Sequence, residues 1–265
     1  MNKRTGWAIT VSGVALCTLL ALAACSKKEE TPAASPAAEQ PAAAAPATPI
    51  DPATVATING TVKFDGAAPK ASKIDMSQDP GCKGMNEAEN VVVNGGDLAN
   101  VFVYVKDGLG NRTFDLPKDP VVLEQQGCQY HPHVIAMQVA QNVDVVNSDQ
   151  TTHNIHPIPK DNREWNESQP PGAAPIEKSF TREEIAIPVK CNVHPWMKAY
   201  MAVVPNPYYQ VTDKDGKFDL KNLPPGTYTL TAWHELYGTS DQTVTIGAKE
   251  SKTVTFTFKA AAAGD

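Results

Sequence analysis

Residues 211–218 read Val211-Thr212-Asp213-Lys214-Asp215-Gly216-Lys217-Phe218, and residues 223–230 read Leu223-Pro224-Pro225-Gly226-Thr227-Tyr228-Thr229-Leu230. Each pairs a short β-branched or aromatic run with turn formers, Asp-Lys-Asp-Gly in the first and Pro-Pro-Gly in the second. Outward from this tail the same grammar repeats back to residue 53. Runs at 55–64, 101–105, 134–139, 143–146, 184–189, 199–204, 208–212, 218–220, 228–233, 244–246 and 253–258 are separated by turn residues. The 22 prolines and 17 glycines among 265 residues suit short strands and turns, not a helical bundle. No stretch offers a long amphipathic helix, so an all-β chain with at least one sandwich is expected.

The formal charge of −6 argues against nucleic acid as a partner, because affinity built on phosphate contacts needs a basic footprint. The first 24 residues read as an export signal. Lys3 and Arg4 precede an apolar run over 7–22 that is too short to span a membrane comfortably. The run ends in Leu22-Ala23-Ala24-Cys25, which resembles the bacterial lipoprotein box. The resemblance implies cleavage after residue 24 and acylation of Cys25; an ordinary signal peptide with a chance cysteine is the alternative. Ser26 leans the expectation towards the outer membrane, with the body facing the periplasm or the cell surface. Without Lys3 and Arg4 the mature chain would carry −8. Residues 25–52 follow as a linker; 15 of the 27 residues from 26 to 52 are Ala or Pro, with no apolar periodicity to bury.

The quoted tail resembles the carboxypeptidase regulatory-like domain, a small transthyretin-like (prealbumin-like) sandwich. That family usually opens on a Gly-x-Val strand, and the nearest candidate is Gly60-Thr61-Val62, far upstream. Residues 208–258 alone make a marginal core. Two arrangements stay open. In one, residues 53–112 and 206–262 form a single sandwich and 113–205 are a second domain set inside it. In the other, the domains follow in tandem with a boundary near Pro205.

Three clusters carry chemistry: Cys128-Gln129-Tyr130-His131-Pro132-His133, His153-Asn154-Ile155-His156-Pro157 and Cys191-Asn192-Val193-His194-Pro195-Trp196-Met197. The last places a thiolate, an imidazole and a thioether at offsets 0, +3 and +6 between two strands, where one loop can converge them. Two imidazoles and a thiolate with a distant axial Met form the blue-copper set. Together the second and third clusters resemble the cupredoxins, Greek-key sandwiches, with a ligand loop like that of amicyanins. The resemblance implies His153, Cys191, His194 and Met197 as ligands of one type 1 copper ion. It also implies that Asn154 ties the ligand loop across to its neighbour, with Pro195 and Trp196 beside His194. Zinc is disfavoured because Met is a poor zinc ligand. With Cys25 taken by lipid and Cys191 by copper, Cys82 and Cys128 are left and can pair; a Cys128–Cys191 bridge would instead destroy the site. His131, His133, His156 and His234 have no assigned role.

A copper with all four positions filled keeps none open for substrate, unlike a catalytic metal. No hydrolase triad, phosphate loop or zincin motif is present. The expectation is a membrane-anchored single-electron carrier, not an enzyme, serving a redox protein partner of the cell envelope. His194, Pro195 and Trp196 would form the apolar patch through which electrons pass. The alternative is a copper-binding, structural or adhesion module without electron transfer.

Overall fold

Eighteen strands and no helix make up the described part of the computed structural model, residues 46–83 and 87–260, so the chain is all-β. The signal peptide expected at 1–24, the lipidation expected at Cys25 and the linker as far as residue 45 lie outside the described residues.

Period-two alternation builds the first sandwich. In strand Ala56–Asp65, Ala56, Ile58, Val62 and Phe64 are buried while Lys63 and Asp65 face water. This strand pairs antiparallel with Lys217–Leu223 and parallel with Ser251–Lys259. Gly60 sits in that parallel ladder opposite Val254; a Cβ there would stand 2.1 Å from the Val254 carbonyl oxygen and 2.5 Å from the Phe218 ring. The glycine of the Gly-x-Val run is therefore a packing requirement. The facing sheet runs in the order Tyr209–Val211, Phe102–Asp107, Gly226–His234, Gly238–Ile246. Val103, Val105, Leu230 and Ala232 from it meet Ile58, Val62, Phe256 and Phe258 in one core.

The second sandwich takes all its strands from between residues 121 and 204. One sheet is ordered Glu167–Gln169, His153–Pro157, Glu184–Lys190, Lys198–Val204, Val134–Gln138; the other is Ile176–Ser179, Asn142–Asn147, Val121–Gln126, Gln129–His131. Leu123, Val143 and Val145 pack against Ile155, Ile187, Met201 and Val203, and Cys191 and Met197 belong to the same cluster.

A third cluster joins the two sandwiches back to back. Strand Lys198–Val204 is buried on both faces: Met201 and Val203 enter the second core, while Ala202 and Val204 meet Phe102, Tyr104 and Trp233. Strands buried on both sides read as unbroken apolar runs, and Met201-Ala202-Val203-Val204 is one. The strand that leaves the Cys191–Met197 loop is thus held from both directions.

Candidate metal centre

His153 opens strand His153–Pro157, and Cys191, His194 and Met197 lie on the loop between Glu184–Lys190 and Lys198–Val204. The loop closes on itself: Met197 N donates to His194 O at 2.9 Å and Cys191 N to Met197 O at 3.3 Å. All four side chains are buried. His153, Cys191 and His194 bring their ligating atoms within 4.8 Å of one another. The two Nδ1 atoms are 2.9 Å apart, and Cys191 Sγ is 3.8 Å from His194 Nδ1. Two backbone amides, from Asn154 and His194, point at the sulfur, each at 3.3 Å.

The outer nitrogen of each imidazole meets a carboxylate. His153 Nε2 is 2.8 Å from Asp149 Oδ2, and His194 Nε2 is 2.9 Å from Asp79 Oδ2. Carboxylates accept, so both Nε2 atoms carry protons and both Nδ1 lone pairs turn inward. Two bare lone pairs at 2.9 Å beside a sulfur are mutually repulsive unless a cation, a proton or a metal, lies between them. Burial holds His153 below the ordinary imidazole value against the pull of Asp149, which favours a neutral ring available to a metal. The hydrogen bond from His194, with those from Thr151 and Gly81, brings the Asp79 carboxyl down to about 2.

Asp149 is itself fixed by a tight turn. Gly127 and Cys128 both have positive φ, 61° and 55°, and both amides donate to its carboxylate at 2.8 Å. Asn154 Oδ1 accepts from Asn192 N at 3.1 Å, linking the His153 strand to the ligand loop. Tyr130, buried in the second core, donates to Asn154 O. Trp196 lies with its ring centre 5.0 Å from that of His194 and donates from Nε1 to Cys128 O at 3.1 Å. Pro195 is exposed and borders, with Trp196, Tyr200 and His133, a cleft of 490 Å³ between the sandwiches.

Cys82 and Cys128 form a disulfide, and Cys191 is the free cysteine among the described residues. The other histidines stand apart from the three-residue cluster. His156 pairs with Glu164 at 2.6 Å, His133 pairs with Glu235, and His234 is buried with Tyr237 stacked on it. Of the three residues of the expected exit patch, Pro195 is exposed and Trp196 half-buried, whereas His194 is buried. Only 2% of His194 is exposed, because Asp79 covers its outer nitrogen. Sequence reasoning missed Asp79 and Asp149. The one available signal was that Asp149 stands four residues before His153, in reach of its ring.

Residues 203–259 match the family model of the carboxypeptidase regulatory-like domain. A search of curated proteins found no match. Among solved structures, the chain is similar to cupredoxins. The amicyanin of Paracoccus versutus is 20% identical, at a TM-score of 0.29 over 38% of this chain and 96% of that one. A purple cupredoxin from Nitrosopumilus maritimus is 21% identical, at a TM-score of 0.27 over 31% of this chain and 98% of that one. The copper-containing nitrite reductase of Thermus scotoductus is 21% identical at a TM-score of 0.31; the match covers 37% of this chain and spans only 25% of that one.

Proposed function

We propose that the protein is a type 1 copper protein that carries single electrons in the cell envelope, its copper-binding body set inside the regulatory-like sandwich and tethered to the membrane through Cys25. The observation that carries the reading is the convergence of two imidazole nitrogens and the Cys191 sulfur, each imidazole being held from behind by a carboxylate. Met197, buried in the same cluster, supplies a thioether. A soft donor set of this kind fits copper better than zinc or a hard cation. Copper so bound would supply a one-electron couple. The chain's part is to keep its donors from rearranging: the Met197–His194 and Cys191–Met197 backbone bonds hold the loop, and Asn154 ties it to the opposite strand. Burial keeps water from the centre. The cover over His194 gives some support to a second reading, copper storage without electron transfer. Reversible one-electron voltammetry separates the two.

Cu(II) added to the full-length protein should give an intense thiolate-to-copper absorption band. Cys191→Ser should abolish the band while the far-ultraviolet circular dichroism stays that of a β protein. A coloured C191S protein would overturn the assignment.

A further inference from the structure

Asp79 sits on an irregular segment, residues 75–83, that belongs to neither sheet of the second sandwich. The segment is fastened on both sides of Asp79. Before it, the Met76 side chain is buried in the second core; after it, Cys82 is bridged to Cys128. Between the fastenings the chain turns on itself, with Asp79 N donating to Met76 O at 3.2 Å and Cys82 N to Asp79 O at 3.0 Å. Every hydrogen bond of the Asp79 carboxylate is local to the centre. Oδ1 accepts from Gly81 N at 2.7 Å; Oδ2 accepts from Thr151 Oγ1 at 2.8 Å and from His194 Nε2 at 2.9 Å. A Cβ on Gly81 would stand 3.0 Å from Asp79 Oδ1 and 3.1 Å from Thr151 Cβ, so any larger residue there would press on this contact. The bridge stands beside the ring it serves: Cys82 Sγ, Cys128 Sγ and the nearer His194 nitrogen lie within 4.8 Å of one another.

We infer that Asp79 is a positioning residue for the metal centre, carried on a disulfide-stapled strap that locks the His194 ring with Nδ1 inward and closes its outer edge. The inference rests on the copper reading above and adds to it. His194 is on a loop of only seven residues and has an exposed neighbour on each side, Val193 and Pro195. Without Asp79 the ring could turn about its χ angles and present either nitrogen, because nothing else among the described residues bonds Nε2. The carboxylate removes that freedom by accepting the Nε2 proton, and the strap holds the carboxylate because its two fastenings leave it little room to swing. The ring edge that water, chelators or a docking partner would otherwise reach is occupied. Apart from the His153 ring 4.8 Å away within the centre, the aromatic neighbour of His194 is Trp196, half-buried at the cleft between the sandwiches, so on the copper reading electron exchange is directed to that side.

The full-length protein is tested in four forms: unaltered, Asp79→Ala, Cys82→Ala with Cys128→Ala, and all three changes together. Each is loaded with copper and reduced with ascorbate, and Cu(I) is drawn off by excess bathocuproine disulfonate. Loss of an outer partner of a metal-bound histidine costs about 10-fold or more in metal retention, so D79A should release copper about 10-fold faster. Removing the bridge should speed release as well, and adding D79A to it should bring little more, since both changes free the same carboxylate–imidazole contact. In the metal-free protein, long-range ¹H–¹⁵N spectra should show His194 Nε2 carrying its proton throughout, whatever proton Nδ1 shares with His153, and Nε2 only partly protonated in D79A. Release from D79A at the unaltered rate overturns the inference while leaving the copper reading intact. If the unaltered protein takes up no copper, the copper reading falls, and the tautomer comparison alone decides whether Asp79 orients the ring.

Discussion

Cys191 Sγ accepts two amide hydrogens and faces an imidazole nitrogen, and Met197 closes the same loop from within the second core. The two residues should respond differently to substitution. Met197→Leu nearly conserves volume and should cost less than about 1.5 kcal/mol of stability. It removes a weak donor from a centre already supplied by a thiolate and two imidazoles, and the loss weighs more on Cu(II), which needs more electron density. M197L should stay coloured, bind copper in the same ratio and show a raised reduction potential by voltammetry; an unchanged potential would mean that Met197 is not a ligand. Cys191, His194 and Met197 were legible because one loop carries all three at short spacing, and His153 because Asn154 follows it. Asp79 was not legible, since the contact that defines it spans 115 residues and no local pattern marks it.

Hairpin strands Val121–Gln126 and Gln129–His131, joined through Gly127 and Cys128, bring together the turn that fixes Asp149 and the cysteine that staples the strap. The bridge links positions 46 apart in sequence. Constraining an unfolded loop of that length contributes roughly 2–4 kcal/mol. The C82A/C128A protein should therefore unfold at lower denaturant concentration by about that free energy, measured on the metal-free form. Equal midpoints would mean that folded-state strain cancels the gain. Strands with strong β-branched runs, such as Ala56–Asp65 and Lys198–Val204, could be read directly. Val121–Gln126 lacks a sustained apolar run because Glu-Gln-Gln ends it, and the short polar sequences of Glu167–Gln169 and Ile176–Ser179 show none. Those strands are specified by their neighbours' backbones, through pairing with His153–Pro157 and Asn142–Asn147.

Across the whole molecule, the two sandwiches share an apolar seam through Phe102, Val204 and Trp233, and ionisable groups gather nearby. His234 is 1% exposed, stacks on Tyr237 with ring centres 4.8 Å apart, and has no partner for Nε2 among the described residues. Burial brings it down to about 4; Glu235 pulls it upward and His133 pushes it further down, both more weakly. The unfolded chain takes up this proton near the ordinary value of 6.5, before the folded chain does. This residue therefore leaves stability unchanged above about pH 6.5. Stability then falls between about 6.5 and about 4, by on the order of 3 kcal/mol in all, and the loss is complete below that. Denaturation of His234→Phe at pH 7 and pH 4.5 should show a smaller drop than the unaltered protein; an equal drop would place the acid sensitivity elsewhere. All-β architecture was legible from turn chemistry, whereas the seam was not, because an apolar face gives no sign of which sheet will cover it. The parallel ladder between Ala56–Asp65 and Ser251–Lys259 has a temporal meaning too. A chain threaded through a membrane from its N-terminus delivers every strand of the second sandwich before the strand that closes the first. If this chain is exported in that direction, Ala56–Asp65 keeps one edge open and sticky until that strand arrives, and the first sandwich stays an unfinished client while the second can already fold.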